Sequence, residues 1–138
     1  MNYTKPKPII DDDSKNYWES AKLNKLVIQY SKNSNEYFLY SKQLINNIDD
    51  NDDNEIEWKE VSGKGTIYSY SIIHAPAGPS FVEDTPYIVA SIQLDEGARI
   101  ISNIINSDLS KIVIGKKVRV VFEKQTEELT IPKFEIYE

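Results

Sequence analysis

At 138 residues, with 40% hydrophobic and 11% aromatic content, the chain is long enough to fold as one moderate domain around its own core. A net charge of -6 argues against sequence-independent nucleic-acid binding, which rests on neutralising phosphates with Lys and Arg. The lack of cysteine excludes disulfides, thiolate metal sites and a cysteine nucleophile; no apolar run has signal-peptide or membrane-spanning length, so a cytoplasmic protein is expected.

Residues 1–10 hold two prolines and no periodicity, and read as an extended arm. The only strong helix pattern covers 11–24. There Asp13 or Ser14 is placed to cap the first turn, and Tyr17, Trp18 and Ala21 share one face. KLVIQY (25–30) and EYFLY (36–40) are short β-prone runs separated by SKNSN, which predicts a hairpin. Residues 41–54 lose periodicity and end in NNIDDNDDN, a solvated acidic loop. The recurring Asp and Asn suggest an EF-hand, but the central glycine and the bidentate glutamate at the twelfth position are missing.

EIEWKEV (55–61) alternates as a strand and runs into Ser62-Gly63-Lys64-Gly65. A phosphate-cradling loop would need a helix after this glycine pair. A strand follows instead, so a bulge is expected. The strand at 66–74 shows apolar groups on both alternations (Ile67 and Ile73; Tyr68, Tyr70 and Ile72), as a strongly bent barrel strand requires. An eleven-residue loop, APAGPSFVEDT (75–85), comes next, longer than an ordinary hairpin connection. Strands at 87–94 and 98–105 flank a turn in which Gly97 suits positive φ. One helical turn near 108–110 precedes a strand with Val118, Val120 and Phe122 on one face. The last strand, 129–137, carries Pro132, which suits an edge or a bulge. Periodicity alone gives a compact antiparallel all-β domain; five or six strands with a short helical connection fit a small Greek-key barrel of the OB type.

In this order the residues resemble a known family. The Pro-rich arm ends in Pro8 and the Asp11–Asp13 cluster, and the helix carries Tyr17-Trp18-Glu19. WKEVSGKGTIYSY (58–70), His74-Ala75-Pro76, PYIVA (86–90), LDEGAR (94–99), Ile114-Gly115 and IPKF (131–134) follow. The chain is similar to the zinc-ribbon plus OB-fold family found beside thiolases, long catalogued as a domain of unknown function. The resemblance implies a mainly β fold: arm and helix (1–24), a rubredoxin-like ribbon hairpin (25–56) and a C-terminal OB-fold barrel (57–138). It further implies a non-catalytic subunit that binds CoA or acyl-CoA and docks on a thiolase-like enzyme: a thiolase, a hydroxymethylglutaryl-CoA synthase, an acyltransferase or an aldolase.

One departure matters. Family members carry two Cys-x-x-Cys pairs in the ribbon, which hold zinc. Here Ser31 and Ser34 stand at the first pair, and Ile45 and Ile48 at the second. Serine is a poor zinc ligand and isoleucine is none, so no zinc or other cofactor is expected. The ribbon would then rest on packing by Tyr37, Leu39, Leu44, Ile45 and Ile48, and would be the least stable part or be ordered by a partner.

The candidate contacts for CoA or a partner are Tyr68, Tyr70, His74, Pro76, Phe81, Arg99 and Lys117, with Lys116 and Arg119 as further phosphate contacts. Each has an ordinary alternative: sheet packing for the tyrosines, a solvated strand end for His74, solubility for the lysines. A free-standing OB module for single-stranded nucleic acid is the alternative function; Tyr68, Tyr70, Tyr87 and Arg99 offer stacking and charge, but no basic stripe is present. A catalytic role has no support: one histidine and no evident nucleophile–base pair. No membrane contact is expected.

Overall fold

The computed structural model describes residues 3–39, 56–76 and 78–137. The calcium-like acidic loop, Leu44, and the ribbon positions Ile45 and Ile48 lie outside the described residues. Among the described residues no helix is long and apolar enough to cross a membrane.

Helix α1 (Lys15–Lys22) is shorter than its sequence pattern. Ser14 occupies the N-cap position, but its side chain caps no helix amide. Asp11 and Ser14 bind each other instead: the Asp11 carboxylate accepts from the Ser14 amide (2.9 Å) and hydroxyl (2.8 Å). These bonds hold the Asp11 carboxyl below its ordinary value. At the other end Asn24 adopts φ 61°, while Lys25 N–H reaches Ser20 O and Asn24 N–H reaches Ala21 O. That is a Schellman-type stop, with asparagine tolerating the left-handed conformation. The helix buries Ala21 and packs Tyr17 against the apolar core.

The ribbon is a three-stranded antiparallel sheet in the order β2-β1-β3, formed by β1 (Val27–Ser31), β2 (Glu36–Phe38) and β3 (Ile56–Glu60). The predicted hairpin is β1–β2, turning through Asn35 at φ 55°, whose Oδ1 accepts from Tyr30 OH. The strand at 56–60 straddles the expected boundary at 56/57. It pairs with β1 over its whole length, Gln29 opposite Trp58, so the barrel strands begin only at Lys64.

The barrel closes in the order β4-β5-β6-β8-β7, as an OB fold does. Its strands are β4 (Lys64–Ile73), β5 (Tyr87–Leu94), β6 (Arg99–Ile104), β7 (Lys117–Lys124) and β8 (Thr130–Ile136). Gly97 turns the β5–β6 hairpin at φ 108°. The register of β4 against β5 shifts between Ile67 and Ser69, leaving Tyr68 as the extra residue of a bulge. The bulge explains the double alternation. Before it Gly65 and Ile67 are buried; after it Tyr70 and Ile72 pack against the core, opposite Ala90 and Ile88. The seam between β6 and β8 is thin, with one parallel pair, Ile104 and Phe134. Pro132 sits beside it, where a missing amide is least missed, and its carbonyl accepts from Ser102 Oγ (2.8 Å).

The core is one apolar cluster. Ile67, Ile92, Leu94, Ile100, Val118 and Phe134 come from the barrel; Leu26 and Ile28 come from the edge and body of β1. The ribbon is therefore fastened to the barrel by burial and not only by chain connection.

Candidate functional site

Barrel register brings distant residues into line. Thr66 on β4 lies opposite Lys117 on β7 and Gln93 on β5, and Gln93 lies opposite Arg99 on β6. Cross-strand partners share a face, so these four form a row on the barrel exterior. The bulge places Tyr68 beside it. The Arg99 guanidinium carbon stands 3.7 Å from the Tyr68 ring centroid, a cation–π contact. Arg99 Nε donates to Gln93 Oε1 (2.9 Å), and Gln93 Nε2 donates to Gly97 O (2.6 Å). Tyr68 and Gln93 are uncharged, so these two contacts orient the cation without neutralising it.

The segment after the one-turn 3-10 helix Leu109–Lys111 borders the same face. Gly115 N–H reaches Ile67 O (2.7 Å), and Ile67 N–H reaches Lys116 O (3.0 Å). Next to Tyr68 it leaves Val113 and Ile114 exposed. Lys64 stands opposite Arg119 two pairs along the ladder, on the same face. Arg119 is partly satisfied by Glu135, which accepts its Nε at 2.8 Å. Hydrogen bonds from Asn106 and Arg119 hold the Glu135 carboxyl below its ordinary value. The result is a local cationic face with an apolar border, on a chain whose net charge is negative.

The loop at 75–85 faces elsewhere. It contains a 3-10 helix, Pro79–Asp84, not read from the sequence. With β5, β6 and the β7–β8 end it frames a cavity of about 510 Å³, lined by Phe81, Tyr87, Asn103, Glu123 and Lys133. The N-terminal arm lies across this mouth. Lys5 pairs with Asp84, and its ammonium stands 5.7 Å from the Phe81 ring centroid. The hydrogen bond to Asp84 raises the Lys5 pKa. Lys133 and Glu123 form a second ion pair there.

The seven predicted contacts therefore fall into separate places. Tyr68, Arg99 and Lys117 lie on the cationic barrel face. Phe81 lies at the mouth. His74 and Pro76 are exposed on the connection leaving β4. Tyr70 turns toward the core, so the expected common face of Tyr68 and Tyr70 is split by the bulge. Lys5, Asp84, Glu123 and Lys133 were not anticipated. Nothing local marks them, because each pairs with a residue distant in sequence.

At the ribbon turn, Ser31 Oγ accepts from Ser34 N–H at 3.4 Å. A serine hydroxyl that accepts from the turn amide, with a second serine in place of the other thiolate, does not fit a zinc donor set. Among the described residues no group of three or more His, Cys, Asp or Glu is placed to hold a metal ion.

Comparison with known proteins agrees with this architecture. A family model described as the ChsH2 C-terminal OB-fold domain matches residues 58–123. A DUF35 domain-containing scaffold protein of Methanothermobacter thermautotrophicus is 45% identical over 74 residues, 54% of this chain and 55% of that protein. A probable enoyl-CoA hydratase alpha subunit of Thermomonospora curvata is 32% identical over 132 residues, 94% of this chain and 39% of that protein. The chain thus spans about half or less of these curated relatives. A chain of the solved Ltp2-ChsH2(DUF35) aldolase superposes with a TM-score of 0.80 at 30% identity, over 94% of this chain and 98% of that one. With the helix, ribbon and closed OB barrel all present in that order, the chain belongs to the DUF35 family.

Proposed function

We propose that this chain is a non-catalytic accessory subunit that binds CoA or acyl-CoA and scaffolds a thiolase-like acyl-CoA enzyme. The observation that carries this reading is the near end-to-end likeness to a chain of an aldolase complex. Relatives named as a scaffold protein and as a hydratase alpha subunit support the same class. The non-catalytic part is supported by His74, the one histidine of the chain, which stands exposed on a loop.

The CoA contact is assigned to the cationic barrel face. Arg99, stacked on Tyr68 and held by Gln93, is oriented for a phosphate. Lys117 extends the positive charge along the row. Val113 and Ile114 beside it supply the apolar contact for the enzyme partner. The ribbon works without zinc in this proposal, because Ser31 and Ser34 replace thiolates.

Two measurements test it. The chain should co-elute with a thiolase-like enzyme in size-exclusion chromatography, and titration calorimetry should show CoA binding that weakens with salt. Changing Arg99→Ala together with Lys117→Ala should weaken CoA binding roughly tenfold or more, as loss of charge-assisted contacts does. Failure to co-elute together with no heat on adding CoA overturns the reading, as does oligonucleotide binding at this face. Purified protein should carry well under one equivalent of zinc.

A further inference from the structure

A second cavity, of about 530 Å³, lies where α1, the ribbon sheet and the β6–β8 seam meet. Its walls are Trp18 of the helix, Phe38 and Trp58 of the ribbon, and Ile100 and Pro132 of the barrel. Gln29, at the centre of the ribbon, joins them. In the ladder it stands between Phe38 on β2 and Trp58 on β3. It is 7% exposed, and its Oε1 has no hydrogen-bond donor among the described residues.

An unpaired buried acceptor destabilises a fold by about as much as a hydrogen bond is worth, and such groups are rare. The nearby wall supplies no remedy. Ser102 Oγ donates to Pro132 O, and Asn103 Nδ2 donates to Ile88 O. The cavity is large enough for a small molecule, mostly apolar, and among its described polar groups Gln29 Oε1 is the buried one left without a partner, able to fix orientation. The carboxylates of Asp11 and Asp13 stand on its rim, which disfavours an anion. We infer that this cavity binds an uncharged or cationic apolar molecule through an N–H donated to Gln29 Oε1. The site is separate from the cationic barrel face and does not depend on the role proposed for it.

The two tryptophans of the chain, Trp18 and Trp58, both line the cavity, so their fluorescence reports on it directly. The probe is N-benzylhexanamide, an apolar secondary amide; its N-methyl derivative keeps the body and lacks the donor. The secondary amide should give a saturable fluorescence change and bind about tenfold more tightly than the N-methyl compound, the factor expected from pairing one buried acceptor. Gln29→Met keeps the length of the side chain and removes the acceptor. It should fold, with unchanged or raised Tm, and bind both compounds within about twofold of each other. Added CoA should leave the probe in place. Equal affinities in the unaltered protein, no saturable change up to the solubility limit, or displacement by CoA would each overturn the assignment. Equal affinities would show apolar binding that does not use Gln29, and no saturable change would leave the cavity as a water-filled junction.

Discussion

The barrel and the ribbon solve the same problem of unpaired strand edges differently. The barrel closes on itself, so each of its five strands has a neighbour on both sides. Among the described residues the ribbon does not close: β2 and β3 each pair with β1 alone. It protects these edges with charge. Glu57 on β3 pairs with Lys32, and the Lys59 ammonium stands 4.2 Å from the Tyr30 ring centroid. Burial differs too. The barrel core is an apolar cluster around Phe134, whereas the ribbon centres on Gln29 with its unpaired oxygen. A closed barrel needs no partner to be complete. The described ribbon strands draw stability from what they pack on, here the barrel through Leu26 and Ile28.

The sharpest test of that dependence compares two isoleucines, each 0% exposed and in the same apolar cluster: Ile92 in the barrel and Ile28 in the ribbon. Ile→Ala at such sites costs about 2–5 kcal/mol through lost transfer energy and the residual cavity. Both variants should lose about 3 kcal/mol. In each, urea unfolding followed by tryptophan fluorescence (both tryptophans lie in the helix and ribbon) should coincide with unfolding followed by far-ultraviolet circular dichroism. If Ile28→Ala shifts only the fluorescence transition, the ribbon is a separate folding unit and the comparison fails.

A smaller effect probes the barrel alone. Gly65 sits where β4 passes between β5 and β7. A Cβ added there would stand 2.3 Å from Gln93 O, a backbone atom that cannot swing aside. Gly65→Ala should therefore cost about 2–3 kcal/mol, the upper part of the overpacking range. Gly97→Ala meets no atom within 4 Å, and there the strain comes from φ 108° alone. Thermal denaturation should rank Gly65→Ala as the more damaging. The reverse ranking would mean that β4 and β5 separate more easily than a closed barrel permits.

Much of the barrel is legible in local pattern. Alternation marks β5, β6 and β7, Gly97 marks the hairpin turn, and the double alternation of 66–74 marks a strand that changes face, although the register shift behind it lies at Tyr68 and not at the expected 62–65. What a residue list cannot show is pairing at a distance. Ile56–Glu60 alternates like a barrel strand. Its partner is β1, because Trp58 and Gln29 share a ladder position that neither sequence window contains. The same holds for Lys5 with Asp84, and for the Arg99–Tyr68 stack. The stack depends on a one-residue register shift that also sends Tyr70 inward. The Asp11–Ser14 pair was masked for another reason. Either residue type caps helices, and only backbone geometry decides whether the oxygen turns to the helix or to its neighbour.

The smallest expected effect lies at the mouth of the barrel, in Glu123. Burial pushes its carboxyl up, but hydrogen bonds from Lys133 and Gln125 outweigh that, and its pKa lies below the ordinary glutamate value. A carboxyl whose pKa is lower folded than unfolded contributes stability above the unfolded pKa. That contribution is lost as pH falls through the folded value. Glu123 therefore stabilises the barrel at neutral pH, and the stabilisation fades as pH falls below the ordinary glutamate range toward its lowered folded value. Glu123→Gln should flatten that part of the stability–pH curve by less than about 1 kcal/mol, since the pair is only partly shielded from solvent. The matching substitution in the ribbon, Glu57→Gln, removes a carboxyl also held low, first by Lys32, but there the lysine partner is far more exposed (47% against 16% for Lys133). Salt separates the two. At about 1 M NaCl the Glu57 effect should vanish and part of the Glu123 effect should survive, because partly buried pairs are screened less. Equal loss of both in salt would show that the barrel mouth is as open to solvent as the ribbon edge.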